Sequence, residues 1–340
     1  MAEFSAEDAT FPHDGAVTPV DDGWPHHGLA EDIRPAWRAL AGAGVTVATA
    51  TLVDCAGSSP RPVGSQLLAT RDGIVAGHIN SATCIESNLA VMMAEAIDRG
   101  RGDMVIFGEG SPYFDIRLLC GGSVVIAIDV IRPDDPAARD LLAHDAARRP
   151  ALWTGDLATG SHQCREIAGD LPRRAAERDG DRYVKLYRPA PRLIVNGGDP
   201  VALALAFLGA ASGFDMVLNH GRGPERPPRG FTGQYLRLAE ADLLKALPPD
   251  PWTAVVSTTH DIECDHAVLK DALPSAAFYV GCLGSRRHIP ARRELLAEAA
   301  VPQAAIDRLV TPVGLAIGAA TPAEIAISVL ADVVRVWRGA

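Results

Sequence analysis

The stretch from Arg192 to Ala211, RLIVNGGDPVALALAFLGAA, constrains the fold of this chain more than any other. A short apolar, β-branched run, Leu193-Ile194-Val195, is followed by Gly197-Gly198 and by a helix-forming segment that opens near Pro200. Strand, tight turn and helix in that order begin a mononucleotide-binding βαβ unit. The dinucleotide form of that unit needs glycine at three spaced positions, one of them so that backbone can touch a diphosphate. Here Gly197 holds the first, Asp199 replaces the second and Ala202 stands at the third. A carboxylate at that point repels phosphates. After the next strand, the acid that would bind a ribose hydroxyl is replaced by Asn219-His220. The architecture is therefore expected to hold some ligand other than NAD(P).

The alternation continues to the C-terminus. Strands are expected at 214–218, 252–257 and 277–281, and helices at 201–211, 240–246, 265–271, 290–299 and 322–337. This is the α/β pattern of a Rossmann-like, doubly wound parallel sheet. Ligands bind beyond the carboxyl ends of such strands, so the loops at Gly197, His220, 258–265 and 281–287 are expected to share one crevice.

The 340 residues suggest two domains. Residues 1–28, rich in Asp, Gly, Pro and His without periodicity, read as a disordered tail. Residues 29–187 read as a mixed α/β N-terminal domain, 188–191 (Arg-Pro-Ala-Pro) as a linker, and 192–340 as the Rossmann-like domain. In the first domain a helix is expected at 31–40 and a strand at 45–53. A hairpin, 66–69 with 74–79, turns across Arg71-Asp72-Gly73. A helix follows at 84–99 with Thr83 and Glu86 as a capping box. Strands at 104–107 and 123–128 and a helix at 136–148 follow, then a strand at 183–187, while 151–182 shows too little periodicity to assign.

With 32 basic against 42 acidic residues, a net charge of -10 and no dense basic block, nucleic acid is excluded as a partner. No apolar run has the roughly 18–20 residues needed to span a bilayer. The acidic start lacks a basic region followed by an apolar core, so a cytoplasmic location is expected. Six cysteines without a CxxC pair fit reduced thiols rather than disulfides or a structural zinc.

Four constellations carry candidate chemistry. Thr258-Thr259-His260-Asp261-Ile262-Glu263-Cys264-Asp265 follows a strand and offers imidazole, carboxylates and thiol for metal binding or proton transfer. Its acids equally suit the N-terminus of the next helix. Gly281-Cys282-Leu283-Gly284-Ser285-Arg286-Arg287 has the glycines, serine and guanidiniums of an anion site, with Pro290 starting the regular helix near Ile289. In Cys120-Gly121-Gly122 a thiol precedes bare backbone that a bulky ligand can approach; a buried cysteine beside a turn reads as well. Cys84 at a helix start favours thiolate, with Glu86 as capping partner. The fourth is Ser58-Ser59-Pro60-Arg61-Pro62, where Arg61 faces either an anionic ligand or a salt-bridge partner on the rim.

In order, Gly57-Ser58-Ser59-Pro60-Arg61-Pro62, Cys120-Gly121-Gly122, Thr259-His260-Asp261, Gly284-Ser285-Arg286-Arg287 and the closing segment Pro312 to Ala326 resemble the XdhC/CoxI family over residues 35–338. These are maturation factors of xanthine dehydrogenase and carbon monoxide dehydrogenase type molybdenum enzymes. The resemblance implies a cytoplasmic, homodimeric chaperone rather than an enzyme, with an XdhC/CoxI domain and a Rossmann-like domain. It implies that the chain binds the molybdenum cofactor, as molybdopterin or its cytosine dinucleotide, while a cysteine desulfurase supplies sulfur. Delivery is to an apo molybdenum hydroxylase. The implied cofactor-binding residues are Arg61, Cys84, Cys120, Gly121, Gly122, Gly197, Gly198, His260, Asp261, Gly284, Ser285, Arg286 and Arg287, with Cys120 as the contact to molybdenum. The chain departs from the family pattern at Gly197-Gly198-Asp199-Pro200-Val201, around His220, and at Asn80-Ser81-Ala82-Thr83-Cys84. An NAD(P)-dependent oxidoreductase and a diverged non-catalytic interaction protein stand as alternatives.

Overall fold

The computed structural model describes residues 24–57, 61–79, 83–108, 111, 122–259 and 261–339, with 83 and 84 described by backbone alone. It separates into two compact units, one ending at Pro189 and the other beginning at Ala190.

The first unit runs α1 (Arg34–Gly42), β1 (Val47–Ala56), β2 (Gln66–Thr70), β3 (Gly73–Gly77), α2 (Thr83–Arg99), β4 (Asp103–Gly108), β5 (Ser123–Ile131), α3 (Pro136–Ala146), β6 (Ala151–Asp156), β7 (Ser161–Glu166), β8 (Ala176–Asp179) and β9 (Arg182–Tyr187). Its five-stranded sheet, ordered β3-β2-β1-β5-β4, is antiparallel throughout. On one face Ala48, Ala50, Leu52, Leu67 and Ile126 pack against Ile85, Leu89, Met93 and Ala96 of α2. The helical spacing of those four residues turns one stripe of α2 to the sheet. The other face shares a core with α1, α3 and a second antiparallel sheet, β7-β6-β9-β8. There Trp37 meets Trp153 edge-on with ring centroids 5.6 Å apart.

That second sheet occupies the segment whose periodicity is too weak to assign from sequence. Its core side carries a polar network. His162 holds Asp135 through Nδ1 at 2.6 Å and Asp129 through Nε2 at 3.0 Å. The Tyr183 hydroxyl donates to Asp129 at 2.8 Å and accepts from Trp153 Nε1 at 3.0 Å. Burial alone would lower the His162 pKa, but the two carboxylates override it and raise the imidazole to about 9.

One expectation in this unit is corrected. Residues 24–28, assigned to the disordered tail, are placed: His26–Leu29 forms a 3-10 turn, and His27 Nε2 lies 3.1 Å from Glu86 Oε2. The Glu86 carboxylate of α2 accepts from the Ile79 N–H at 2.9 Å, and the Thr83 side chain expected to share a capping box with it lies outside the described residues.

The second unit runs β10 (Arg192–Asn196), α4 (Pro200–Ala211), β11 (Asp215–Asn219), β12 (Gln234–Leu236), α5 (Glu240–Ala246), β13 (Thr253–Ser257), α6 (Ile262–Ala272), β14 (Tyr279–Cys282), α7 (Ile289–Glu298), α8 (Gln303–Ile306), β15 (Leu309–Val310) and α9 (Pro322–Arg338). Its six strands are all parallel, in the order β12-β11-β10-β13-β14-β15. Alternate residues of each strand feed opposite layers. Leu193, Val195 and Val256 meet α4 and α9, whereas Ile194, Val217 and Val255 meet α5, α6, α7 and α8. The Rossmann-like expectation holds, and the strand order reverses between β10 and β13, where ligands of such sheets bind.

Candidate functional site

The carboxyl edge of the parallel sheet gathers most of the residues singled out in the second unit. From β10 the chain turns through Gly197-Gly198 into α4, and Asp199 is the N-cap of that helix. Its Oδ1 accepts from the Ala202 N–H at 2.8 Å and from the Thr258 hydroxyl at 3.0 Å. The carboxylate thus takes up part of the helix N-terminus that a diphosphate would otherwise use. Gly197 has φ +151, and a Cβ there would lie 2.2 Å from Thr258 Oγ1. A Cβ on Gly198 would lie 2.2 Å from the His220 ring. Both glycines are required by the protein's own side chains.

Beneath this turn runs a buried polar chain. Asn219 Nδ2 donates to Asn196 Oδ1 at 2.9 Å, and Asn196 Nδ2 donates to Ser257 Oγ at 3.3 Å. The Ser257 hydroxyl donates to Asp265 Oδ1 at 2.7 Å, and the Thr259 hydroxyl donates to the same oxygen at 2.6 Å. Arg292 Nη2 donates to Asp265 Oδ2 at 2.6 Å. Asp265 is fully buried and Arg292 is 4% exposed. A buried pair of this kind stands only when further hydrogen bonds satisfy its members. Asp265 has them, whereas Arg292 Nε and Nη1 find no partner among the described residues.

The expected anion loop therefore divides. Gly284 lies against the Arg292 guanidinium, since a Cβ there would meet Nη1 at 3.1 Å. Ser285, Arg286 and Arg287 are exposed, the last two in a 3-10 turn before α7. Pro290 occupies the first turn of α7, which begins at Ile289 as its sequence predicts. The buried arginine of this region is Arg292, one turn further on. No sequence signal links it to Asp265, because the pair is made by tertiary packing of α6 against α7.

In the Thr258–Asp265 cluster the helix-capping alternative is the one the geometry takes. Asp261 caps α6 and accepts from Glu263 N at 2.9 Å, and the Glu263 and Cys264 N–H groups hold its carboxyl below the usual range. Burial, with Glu240 and Asp261, pushes the Cys264 thiol up. Among the described residues no three His, Cys, Asp or Glu side chains gather to hold a metal ion. His260 lies outside the described residues.

In the first unit Arg61 takes the rim salt bridge, pairing with Glu31. Cys120, Gly121, Ser58, Ser59 and Pro60 lie outside the described residues, as does the Cys84 side chain. Gly122 is described, and it brings two motifs together. A Cβ on Gly57 would touch its Cα at 3.4 Å, and one on Gly108 would lie 2.1 Å from its carbonyl oxygen. The ends of β1 and β4 and the start of β5 thus converge where the arginine loop begins and the cysteine-glycine motif ends. Sequence reasoning missed the pairing of Glu86 with His27 and His78, whose Nδ1 lies 2.8 Å from Glu86 Oε1. The described cysteines Cys55, Cys164, Cys264 and Cys282 are free thiols.

A Rossmann-ordered sheet with a self-occupied diphosphate turn, joined to an antiparallel α/β unit, defines the class of protein. Residues 193–333 match the model for the XdhC Rossmann domain and residues 40–108 that for the XdhC and CoxI family. The chain is 30% identical over 289 residues to the molybdenum cofactor insertion chaperone PaoD of Escherichia coli, covering 84% of this chain and 82% of that one. It is also 30% identical over 161 residues to a probable xanthine dehydrogenase subunit of Bacillus subtilis, covering 45% of each. A solved structure from Bacillus halodurans, described as a xanthine dehydrogenase, aligns with TM-score 0.70 at 23% identity over 90% of this chain and 96% of that one. The chain belongs to the XdhC/CoxI family.

Proposed function

We propose that this protein is a cofactor chaperone: it binds the molybdenum cofactor as cargo and assists its insertion into an apo molybdenum hydroxylase of the xanthine or carbon monoxide dehydrogenase type. The observation that carries the reading is similarity to an insertion chaperone across both units. The geometry supports it, since the turn that would take NAD(P) diphosphate is filled by Asp199 while a buried guanidinium keeps open donors after β14, two strands along the sheet. The protein acts in the cytoplasm as a homodimer, and a cysteine desulfurase supplies the sulfur added to the cargo. The Cys120 thiol supplies the ligand to molybdenum in this reading, as soft thiolates suit a thiophilic metal.

The test is protein purified from a molybdenum-sufficient host, assayed for its fluorescent pterin oxidation product and for molybdenum. Both are expected, together with transfer of activity to an apo-hydroxylase. Absence of pterin with no rescue would sink the reading. Micromolar NAD(P) binding by calorimetry would favour the oxidoreductase alternative instead.

A further inference from the structure

The second unit contains a charged group that its own fold leaves incompletely used. Arg292 is held by one nitrogen on Asp265 and lies beside the buried Cys282 thiol, a weak acceptor, while Nε and Nη1 meet no oxygen or nitrogen acceptor among the described residues. A guanidinium cannot shed its charge to escape burial, so donors left open at 4% exposure are a place for an acceptor that the described residues do not supply. Nη1 faces the loop after β14, against Gly284. In that loop the backbone N–H groups of Gly284 and Ser285 likewise donate to nothing among the described residues. Leu283 on one side is fixed to the Ser257 carbonyl at 2.8 Å, and His288 on the other to the Ser285 carbonyl at 3.0 Å. Between these anchors lie two free amides and the exposed Ser285, Arg286 and Arg287, a local excess of positive charge.

We propose that Arg292 is the floor of a phosphate subsite whose rim is the Gly284–Arg286 loop. A phosphate group suits it better than a planar carboxylate because its tetrahedral oxygens offer acceptors in several directions, to a guanidinium and to backbone amides. The proposal rests on the chaperone reading for its cargo: the group bound would be the phosphate of the pterin or the diphosphate of its dinucleotide form. It moves the essential guanidinium of the anion site from Arg286 and Arg287 to Arg292.

The test combines calorimetric titration of the full chain by inorganic phosphate and by pyrophosphate with the pterin content of the isolated protein. Arg292→Lys keeps a charge against Asp265 with fewer donors. Ser285→Pro fits the backbone of that position, φ -75 and ψ 150, and removes its N–H together with the hydroxyl, with Ser285→Ala as the control that loses the hydroxyl alone. Each of the first two is expected to weaken anion binding tenfold or more, and Ser285→Pro to weaken it well beyond Ser285→Ala. Pyrophosphate favoured over phosphate identifies a diphosphate-bearing cargo, and the reverse a monoester; both support the subsite. Wild-type affinity and pterin content in Arg292→Lys and Ser285→Pro overturn the subsite and leave the chaperone reading standing. Arg292-dependent anion binding in a protein that never carries pterin keeps the subsite and overturns that reading. No anion binding and no pterin in the wild type overturns both. Should Arg292→Lys fail to fold, Ser285→Pro decides the matter alone.

Discussion

The His162 imidazole lies stacked on the Trp153 indole, ring centroids 5.0 Å apart, and each of its nitrogens meets a carboxylate. This arrangement sets a pH dependence. The folded pKa of about 9 lies above the ordinary 6.5, so the stabilisation is fully present below about pH 6.5 and is lost as pH rises through 9. An upper bound is roughly 3–4 kcal/mol. The thermal unfolding of the first unit is expected to shift downward between pH 6.5 and 9, and His162→Gln to flatten that shift. An unchanged slope in the variant would place the titrating group elsewhere.

Asp199 has its own signature. Asp199→Ala removes the cap of α4 and is expected to lower stability by about 1 kcal/mol, whereas Asp199→Asn keeps an acceptor and most of the stability. Urea unfolding followed by circular dichroism measures both. Equal losses in the two variants would mean that the carboxylate charge, rather than the cap, is what counts.

Gly198 and His220 form a steric pair. A Cβ 2.2 Å from the ring must displace it, so Gly198→Ala is expected to cost about 1–3 kcal/mol, as overpacked sites do. Combining it with His220→Ala removes the obstacle. A double-mutant cycle should return a coupling of similar size and opposite sign, and additivity would refute the contact.

Asp265→Ala leaves the Arg292 charge buried without its carboxylate. The expected loss is about 3–5 kcal/mol, against less than about 0.5 kcal/mol for Arg287→Ala on the surface. Denaturant midpoints compare the two directly.

These predictions follow the division between what the residues declare in advance and what only packing decides. The parallel sheet is legible because its strands are short apolar runs separated by helices of regular period, from Leu193 to the capped start of α9 at Thr321. β6 to β8 are not. β7, Ser-His-Gln-Cys-Arg-Glu, is mostly exposed, and its buried His162 is stabilised by acids distant in sequence. β12 and β15, of three and two residues, are too short to carry a pattern. At the site, Gly197 and Gly198 stand out in the sequence, but the cause lies in Thr258 and His220 rather than in a ligand. Arg286 and Arg287 draw notice because they stand beside glycine, while Arg292 has no such company in the sequence.

The tie between His27 and Glu86 reaches beyond its own geometry. A shortened protein that starts after residue 28 would look tidy on paper, yet it would strip a buried helix carboxylate of an imidazole. Trimming for crystallisation or tagging is best kept upstream of Trp24, so that any lost solubility is not blamed on the cargo.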